Sequence, residues 1–414
     1  MKKIILTFLF CALGVTTWAI DSQKTLEFYK QAISSFPVKN SGETRRYASA
    51  LADNLDTWFL QNPAHPSAPD ALLVQTRLLV KAGRNGEALG VLFRLRYLFP
   101  ATDMVQLSPL FNETQEALDK KVREMASKLF VQTPNESMLD KQTAKMLYAF
   151  SKLSGKEFYP AAVQAFERFL LHYNEYPGNN EIELWYGDLH RVNGNYLAAI
   201  LQYKKANALY PNSPYRAASM RLIGDVYADN LKNTAAATEA YTSVLRLYPN
   251  SAETGTVYKH MAILDENNKQ YDSALLNYDK AIELIKDPNS VYEAYRGKAD
   301  VYYKQKQYDM SYDTLQQAAK LSKVSKENAA NAYMQAAKIA HKKFKDPKRY
   351  IQALEKAVLL QPTAPRMYEL AGAYAKDGRT DNAYETYTKL ILQFPTSKYA
   401  TSAQNKLTRL QKKK

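Results

Sequence analysis

LWYGDLHRVNGNYLAAILQYKKANALYP, residues 184–211, contains two amphipathic stretches separated by Asn193-Gly194-Asn195 and closed by Pro211. Two segments of helical periodicity around a glycine-containing break predict a helical hairpin, since the proline cannot continue the second helix. Gly187 is the small residue of the first stretch and Ala199 that of the second, with Tyr203 and Ala206 four and seven residues further on. That spacing lays the three residues of the second helix along one stripe.

The same order recurs down the chain. Gly187, Gly224, Ala262, Ala299, Ala337 and Ala371 mark the small position of successive first helices, at intervals of 37, 38, 37, 38 and 34 residues. On the second helices the corresponding residues are Ala199, Ala237, Ala274, Ser311, Tyr350 and Ala383, followed four residues later by Tyr203, Tyr241, Tyr278, Leu315, Leu354 and Tyr387. Two helices approach closely only where no bulky side chain separates them, and an aromatic ring fills the wedge beside the contact. The pattern resembles the tetratricopeptide repeat: a small residue on each helix, an aromatic beyond the second and a closing proline, at a period of ~34 residues. The resemblance implies an all-α solenoid of antiparallel helical hairpins wound as a right-handed superhelix, with the first helices lining its concave face. The tyrosines are then expected in the core, with their polar tips in water. Only 14 Gly against 31 Tyr points to long regular elements with few tight turns.

Upstream the pattern weakens. RLLVKAGRNGEALGVLFRLRYLFP, residues 77–100, places Gly83, Ala88, Leu92 and Pro100, and a further copy from Met146 to Tyr173 places Gly155, Ala162, Phe166 and Phe169. Nine or ten hairpins are expected in all. The expected organisation is a leader over 1–19, degenerate repeats over 20–180, a regular array of about six repeats over 181–395, and a basic capping helix and tail over 396–414. Ala101–Asn112 reads as a longer loop or a change of superhelix direction.

Lys2 and Lys3, the apolar run from Ile4 to Val15 and the small residues around Trp18-Ala19 predict a secretory signal peptide cleaved near Ala19. The single cysteine, Cys11, lies within it behind the bulky Phe10, against lipoprotein processing. The mature chain therefore has no cysteine, which excludes disulfides, thiol catalysis and thiolate metal sites. The expected location is the periplasm, including the periphery of the outer membrane, if the cell has an outer membrane, and the exterior if it does not.

At the junctions, Tyr210-Pro211-Asn212-Ser213-Pro214 stops one helix and starts the next, with Ser213 suited to cap the exposed amides and Pro214 to the first helical position. Tyr248-Pro249-Asn250-Ser251 and Phe394-Pro395-Thr396-Ser397 repeat the device. This junction resembles those of the envelope proteins BamD/YfiO and CpoB/YbgF. The sequence departs from the first group in lacking the lipid-bearing cysteine, and from the second in its many repeats and lack of an N-terminal coiled coil. The resemblance implies an envelope setting and no named partner.

Catalytic patterns are absent. The histidines, His65, His172, His190, His260 and His341, show no metal-ligand spacing and read as surface or stacking residues. There is no phosphate-cradling glycine loop, nucleophile elbow or zinc-protease helix. About nineteen residues follow the last repeat, too few for a catalytic domain of the kind carried by helical lytic transglycosylases. No enzyme activity, cofactor or metal is expected.

The formal charge of +15 is concentrated at the end, where residues 311–414 carry +12. Lys342, Lys343, Lys345, Lys348 and Arg349 form its densest part, and Lys412, Lys413 and Lys414 end the chain. No nucleic-acid recognition module accompanies the charge, so anionic lipid or a cell-wall polymer is the expected counterpart. The fifth repeat position, which faces the groove in tetratricopeptide proteins, holds Arg221, Lys259 and Arg296, with Asp225, Asp300, Tyr303 and Lys304 expected nearby. Two aspartates stand where a carboxylate clamp would need asparagine, so the resemblance implies an extended segment of mixed or acidic character instead of a C-terminal carboxylate. The expected function is a non-catalytic scaffold holding a peptide or protein segment. The alternative is a structural spacer or surface protein that binds cell wall or anionic lipid through its basic end.

Overall fold

The computed structural model describes residues 22–36, 41–132, 138–321 and 323–411, so the residues expected to form a leader and the three terminal lysines lie outside it. Among the described residues there are twenty-one α-helices and no strand, arranged as an α-solenoid. The chain divides between Ser219 and Met220 into two compact units.

Six hairpins follow in order. Their first and second helices are Asn179–Val192 with Tyr196–Leu209, Arg216–Asp225 with Thr234–Leu247, Thr254–Asn267 with Tyr271–Leu284, Pro288–Lys304 with Tyr308–Ala319, Lys326–Ile339 with Pro347–Leu360, and Ala364–Lys376 with Thr380–Gln393. A last helix, Lys398–Gln411, packs on the sixth. The small positions act as their spacing predicts. Ala199, Ala237, Ala274 and Ala383 are fully buried, as are the rings of Tyr203, Tyr241, Tyr278 and Tyr387. A Cβ on Gly187 would stand 2.3 Å from the Tyr203 ring, and one on Gly224 2.4 Å from that of Tyr241, so these rings occupy space that only glycine leaves. Tyr350, the misfit, is only partly buried and donates its hydroxyl to Glu369 of the next hairpin at 2.9 Å.

The tyrosine tips do not end in water as expected. Tyr203 donates to Asp188 at 2.8 Å, Tyr241 to Asp225 at 2.8 Å and Tyr278 to Glu266 at 3.0 Å. A donor carried into the core on a buried ring requires a partner, and a carboxylate makes a strong one.

Scarcity of glycine does not mean scarcity of turns. Each of the six hairpins turns through one left-handed residue: Gly194 (φ 81°), Lys232 (54°), Lys269 (63°), Lys306 (63°), Lys345 (53°) and Gly378 (80°). Four lysines thus occupy the place that favours glycine, at a cost of roughly 1 kcal/mol each. From small position to small position the hairpins span 12 residues, except for 13 from Gly224 to Ala237 and from Ala337 to Tyr350. Those two alone end their first helices in a π turn, Val226–Asn230 and Ala340–Phe344, which holds the extra residue.

At the junctions the hydroxyls of Ser213, Ser251 and Ser397 each accept from the amide two residues on, all at 3.1 Å. Pro214 stands in the turn ahead of the helix and not at its first position.

The first unit also contains the hairpins Ala68–Ala82 with Asn85–Leu98 and Leu139–Phe150 with Tyr159–His172, together with Gly42–Gln61, which packs on Ala68–Ala82. Phe93 is central, in edge contact with Phe130 at 5.4 Å and Phe150 at 5.6 Å. Gly83 is a left-handed helix cap at φ 78°, while Gly86 and Gly155 make the close approaches: their Cβ atoms would stand 1.8 Å from the Glu157 carbonyl oxygen and 2.2 Å from that of Ala117. Ala101–Asn112 is not a loop. Asp103 caps a helix, Met104–Thr114, that carries Pro109 and persists because Leu107, Phe111 and Thr114 share one buried face. The irregular piece comes later, as two 3₁₀ turns between Gln115 and Val122.

Candidate functional site

Polar residues on the first helices connect one hairpin to the next. Arg221 pairs with Asp225 one turn on and, at 2.5 Å, with Glu253 at the start of the following first helix. Asp225 also accepts the Tyr241 hydroxyl and lies 2.7 Å from Nδ1 of His260. Burial alone would raise the Asp225 pKa, but the His260 hydrogen bond and the Arg221 charge outweigh it and hold the carboxyl below its usual range. Further on, Lys259 reaches Glu293 at 3.2 Å and Lys304 reaches Glu266 at 2.9 Å. Each of these inter-hairpin pairs spans about one repeat, so together they bind neighbouring first helices into a single polar face.

Arg296 and Asp300 are exposed and form no ion pair among the described residues. Asp300 occupies the place of Asp225, but the second helix offers Leu315 where the earlier hairpins offer tyrosine. Crowding by protein atoms raises its pKa, reinforced by Glu266 and opposed by Arg296 and Lys304. Tyr303 is 39% exposed and lies edge-on to Tyr308 at 5.3 Å. The predicted groove residues therefore separate into a paired set, Arg221, Asp225, Lys259 and Lys304, an open pair, Arg296 and Asp300, and Tyr303, whose partly exposed ring lies beside Tyr308 and the Lys343 ammonium.

The five residues of the basic cluster are all exposed, around the π turn Ala340–Phe344 and the start of Pro347–Leu360. Two of them are engaged locally. The Lys343 ammonium lies 5.2 Å from the Tyr303 ring and 4.8 Å from that of Tyr308. Arg349 pairs with Asp309 at 3.0 Å and Asp346 at 3.6 Å, and Asp346 also accepts the amides of Lys348 and Arg349. Lys342, Lys345 and Lys348 are exposed at the turn and have no ion pair among the described residues. Lys412, Lys413 and Lys414 lie outside the described residues.

All five histidines contact aromatic rings, His65 with Trp58, His172 with Tyr173, His190 with Tyr186, His260 with Tyr241 and His341 with Tyr350. Sequence reasoning missed that His260 also faces a carboxylate, and it missed the acids Glu253, Glu266 and Glu293 that answer the predicted bases. Their signal was an acid roughly one repeat from each base. Among the described residues no three metal-ligating side chains converge, and no helix is long and apolar enough to cross a membrane.

Comparison with known families matches two tetratricopeptide-repeat profiles, one over residues 153–214 and the other over 218–251 and 367–397. These stretches are tetratricopeptide repeats. No curated protein matches the chain. Among solved structures, PilF of Pseudomonas aeruginosa is similar at 15% identity, covering 55% of this chain and 97% of its own, with a TM-score of 0.37. The C-terminal part of a repeat-containing protein from Cytophaga hutchinsonii gives 14% identity, 63% and 97% coverage and a TM-score of 0.44. A tetratricopeptide repeat protein from Parabacteroides merdae gives 16% identity, 66% and 98% coverage and a TM-score of 0.38.

Proposed function

We propose that this protein is a non-catalytic scaffold of the bacterial envelope, which holds an extended protein segment against the face of its first helices. The observation that carries the reading is the division of that face. Ion pairs lock neighbouring first helices together, while Arg296 and Asp300 stand exposed without an ion pair among the described residues and Tyr303, beside Lys343 and Tyr308, keeps part of its ring exposed. A rigid surface with unanswered charge and an exposed ring suits recognition, because little ordering is needed when a partner arrives. The envelope setting rests on the leader pattern of residues 1–19 and on the junction resemblance, and it predicts a processed protein in the soluble periplasmic fraction.

Site-specific photocross-linking in cells tests the reading. A photoreactive residue at position 303 or 296 is expected to capture one defined partner, and the same residue at Leu276, exposed on a second helix, is expected to capture none. Equal capture from both faces, or capture from Leu276 alone, would overturn it.

A further inference from the structure

Tyrosine at the wedge position follows a rule in this chain. In three hairpins its ring is buried and its hydroxyl donates to a carboxylate on a first helix: Asp188 for Tyr203, Asp225 for Tyr241 and Glu266 for Tyr278. Asp188 and Asp225 each directly follow the small residue of the first helix. The sixth hairpin keeps the tyrosine and omits the acid. Tyr387 is 1% exposed, yet the residue after Ala371 is Gly372, and among the described residues nothing hydrogen-bonds the Tyr387 hydroxyl. A Cβ on Gly372 would lie 3.7 Å from that oxygen, so the place an aspartate would fill is open.

What it opens into is a cavity of about 720 Å³ between the sixth hairpin and the helix Lys398–Gln411. Tyr387 lies in its wall with Tyr368 and Tyr399, whose rings are stepped at 5.7 and 5.6 Å. Lys376, Lys406 and Arg409 stand on its rim, exposed, and none has an ion-pair partner among the described residues. The one acid of the lining, Glu369, already accepts the Tyr350 hydroxyl. A donor without an acceptor from the chain and three cations without an ion-pair partner among the described residues therefore face the same space. The Tyr387 hydroxyl faces this space with no acceptor from the described residues, and the charges on the rim favour an anionic one.

We propose that this cavity binds an acidic side chain of a partner protein, whose carboxylate takes from Tyr387 the hydrogen bond that Asp188, Asp225 and Glu266 take in the other hairpins. The tyrosine walls receive the apolar part of that segment, and the three cations draw it in from solution. The inference deepens the scaffold reading by naming the chemistry of one contact.

The mature full-length protein is titrated with a rhodamine-labelled hexapeptide alternating glutamate and glycine, and with its glutamine analogue, at low and at physiological salt. The glutamate peptide is expected to bind and to weaken as salt rises; the glutamine analogue is not expected to bind. Tyr387→Phe, which keeps the ring and removes only the donor, is expected to weaken binding about tenfold. Gly372→Asp supplies the carboxylate from within, so it is expected to abolish binding while raising the thermal midpoint. Either variant binding the glutamate peptide like the unaltered protein, with unchanged helicity, would overturn the proposal. So would displacement by inorganic phosphate as effective as by free glutamate peptide, which would mark a general anion site. A partner that still cross-links from position 303 when the cavity ignores the glutamate peptide would sink this proposal alone. Binding in the cavity without any cross-link from position 303 or 296 would sink the scaffold reading of the central face instead.

Discussion

The second and sixth hairpins, Arg216–Leu247 and Ala364–Gln393, share a tyrosine in the same wedge and complete it in opposite ways. In the second, Asp225 gathers Tyr241, Arg221 and His260 around one carboxylate, and Gly224 lets the ring press against the first helix. In the sixth, Gly372 stands where the acid would be, and the tyrosine hydroxyl meets only open space. The fourth hairpin, Pro288–Ala319, is the reverse case, with Asp300 present and Leu315 in place of the tyrosine. One position thus serves either to fasten the solenoid or to leave a valence for something else. Fastening within the repeat and the recognition proposed for the sixth hairpin draw on the same atoms.

The largest expected effect breaks the fastened side. Asp225→Ala leaves Arg221 and His260 without their shared anion and is expected to destabilise the protein by about 3 kcal/mol in chemical denaturation, a figure typical of a broken buried pair. Gly372→Ala at the equivalent position is expected to cost nothing.

A second contrast isolates packing from charge. Gly224→Ala forces a Cβ to within 2.4 Å of a ring that cannot retreat, at an expected net cost of about 2 kcal/mol after the helix-propensity gain. Gly372→Ala meets only ordinary contact and is expected to gain up to about 1 kcal/mol. Equal effects of the two alanines would refute the view that the sixth wedge is open.

The smallest effect concerns pH and the two aspartates of the second and fourth hairpins. The folded pKa of Asp225 is depressed, so its stabilisation is present at neutral pH and is lost as pH falls through that folded value. The Asp300 pKa is raised, so its ionised form opposes folding at neutral pH and protonation relieves the strain. Asp300→Asn is expected to stabilise by a few tenths of a kcal/mol at pH 7, discounted for its exposure, and by nothing in acid. Thermal melts of the variant against the unaltered protein between neutral pH and about pH 3 read out the sign.

Much of this was legible because each repeat writes its contacts locally. A small residue and an aromatic four positions apart lie on one stripe of one helix, and the closing proline marks its end, so Ala199, Tyr203 and Pro211 needed no tertiary information. The hydroxyl partners were not legible, because Asp225 reaches Tyr241 and His260 only once two hairpins are in register. Nor were the turns: lysine at a left-handed φ leaves no compositional mark, as glycine does. In the first unit the decisive approaches, Gly86 to Glu157 and Gly155 to Ala117, join residues far apart in sequence, and no local period announces them. Pro109 reads as a breaker, and only the buried face of its helix overrules it. Of the predicted site, the residue types and their face were readable; which of them were already spoken for was not.

The two π turns bear on how such an array tolerates change. Val226–Asn230 takes up one surplus residue, and Gly224 and Tyr241 still meet as closely as Gly187 and Tyr203 do in a hairpin without it. The turn is slack in an otherwise fixed ruler: each hairpin is measured by where its wedge closes and not by how many residues lie between. Single-residue insertions and deletions can therefore accumulate at the hairpin tips while the interfaces stay in phase, and the tips become the part of the molecule freest to vary in length.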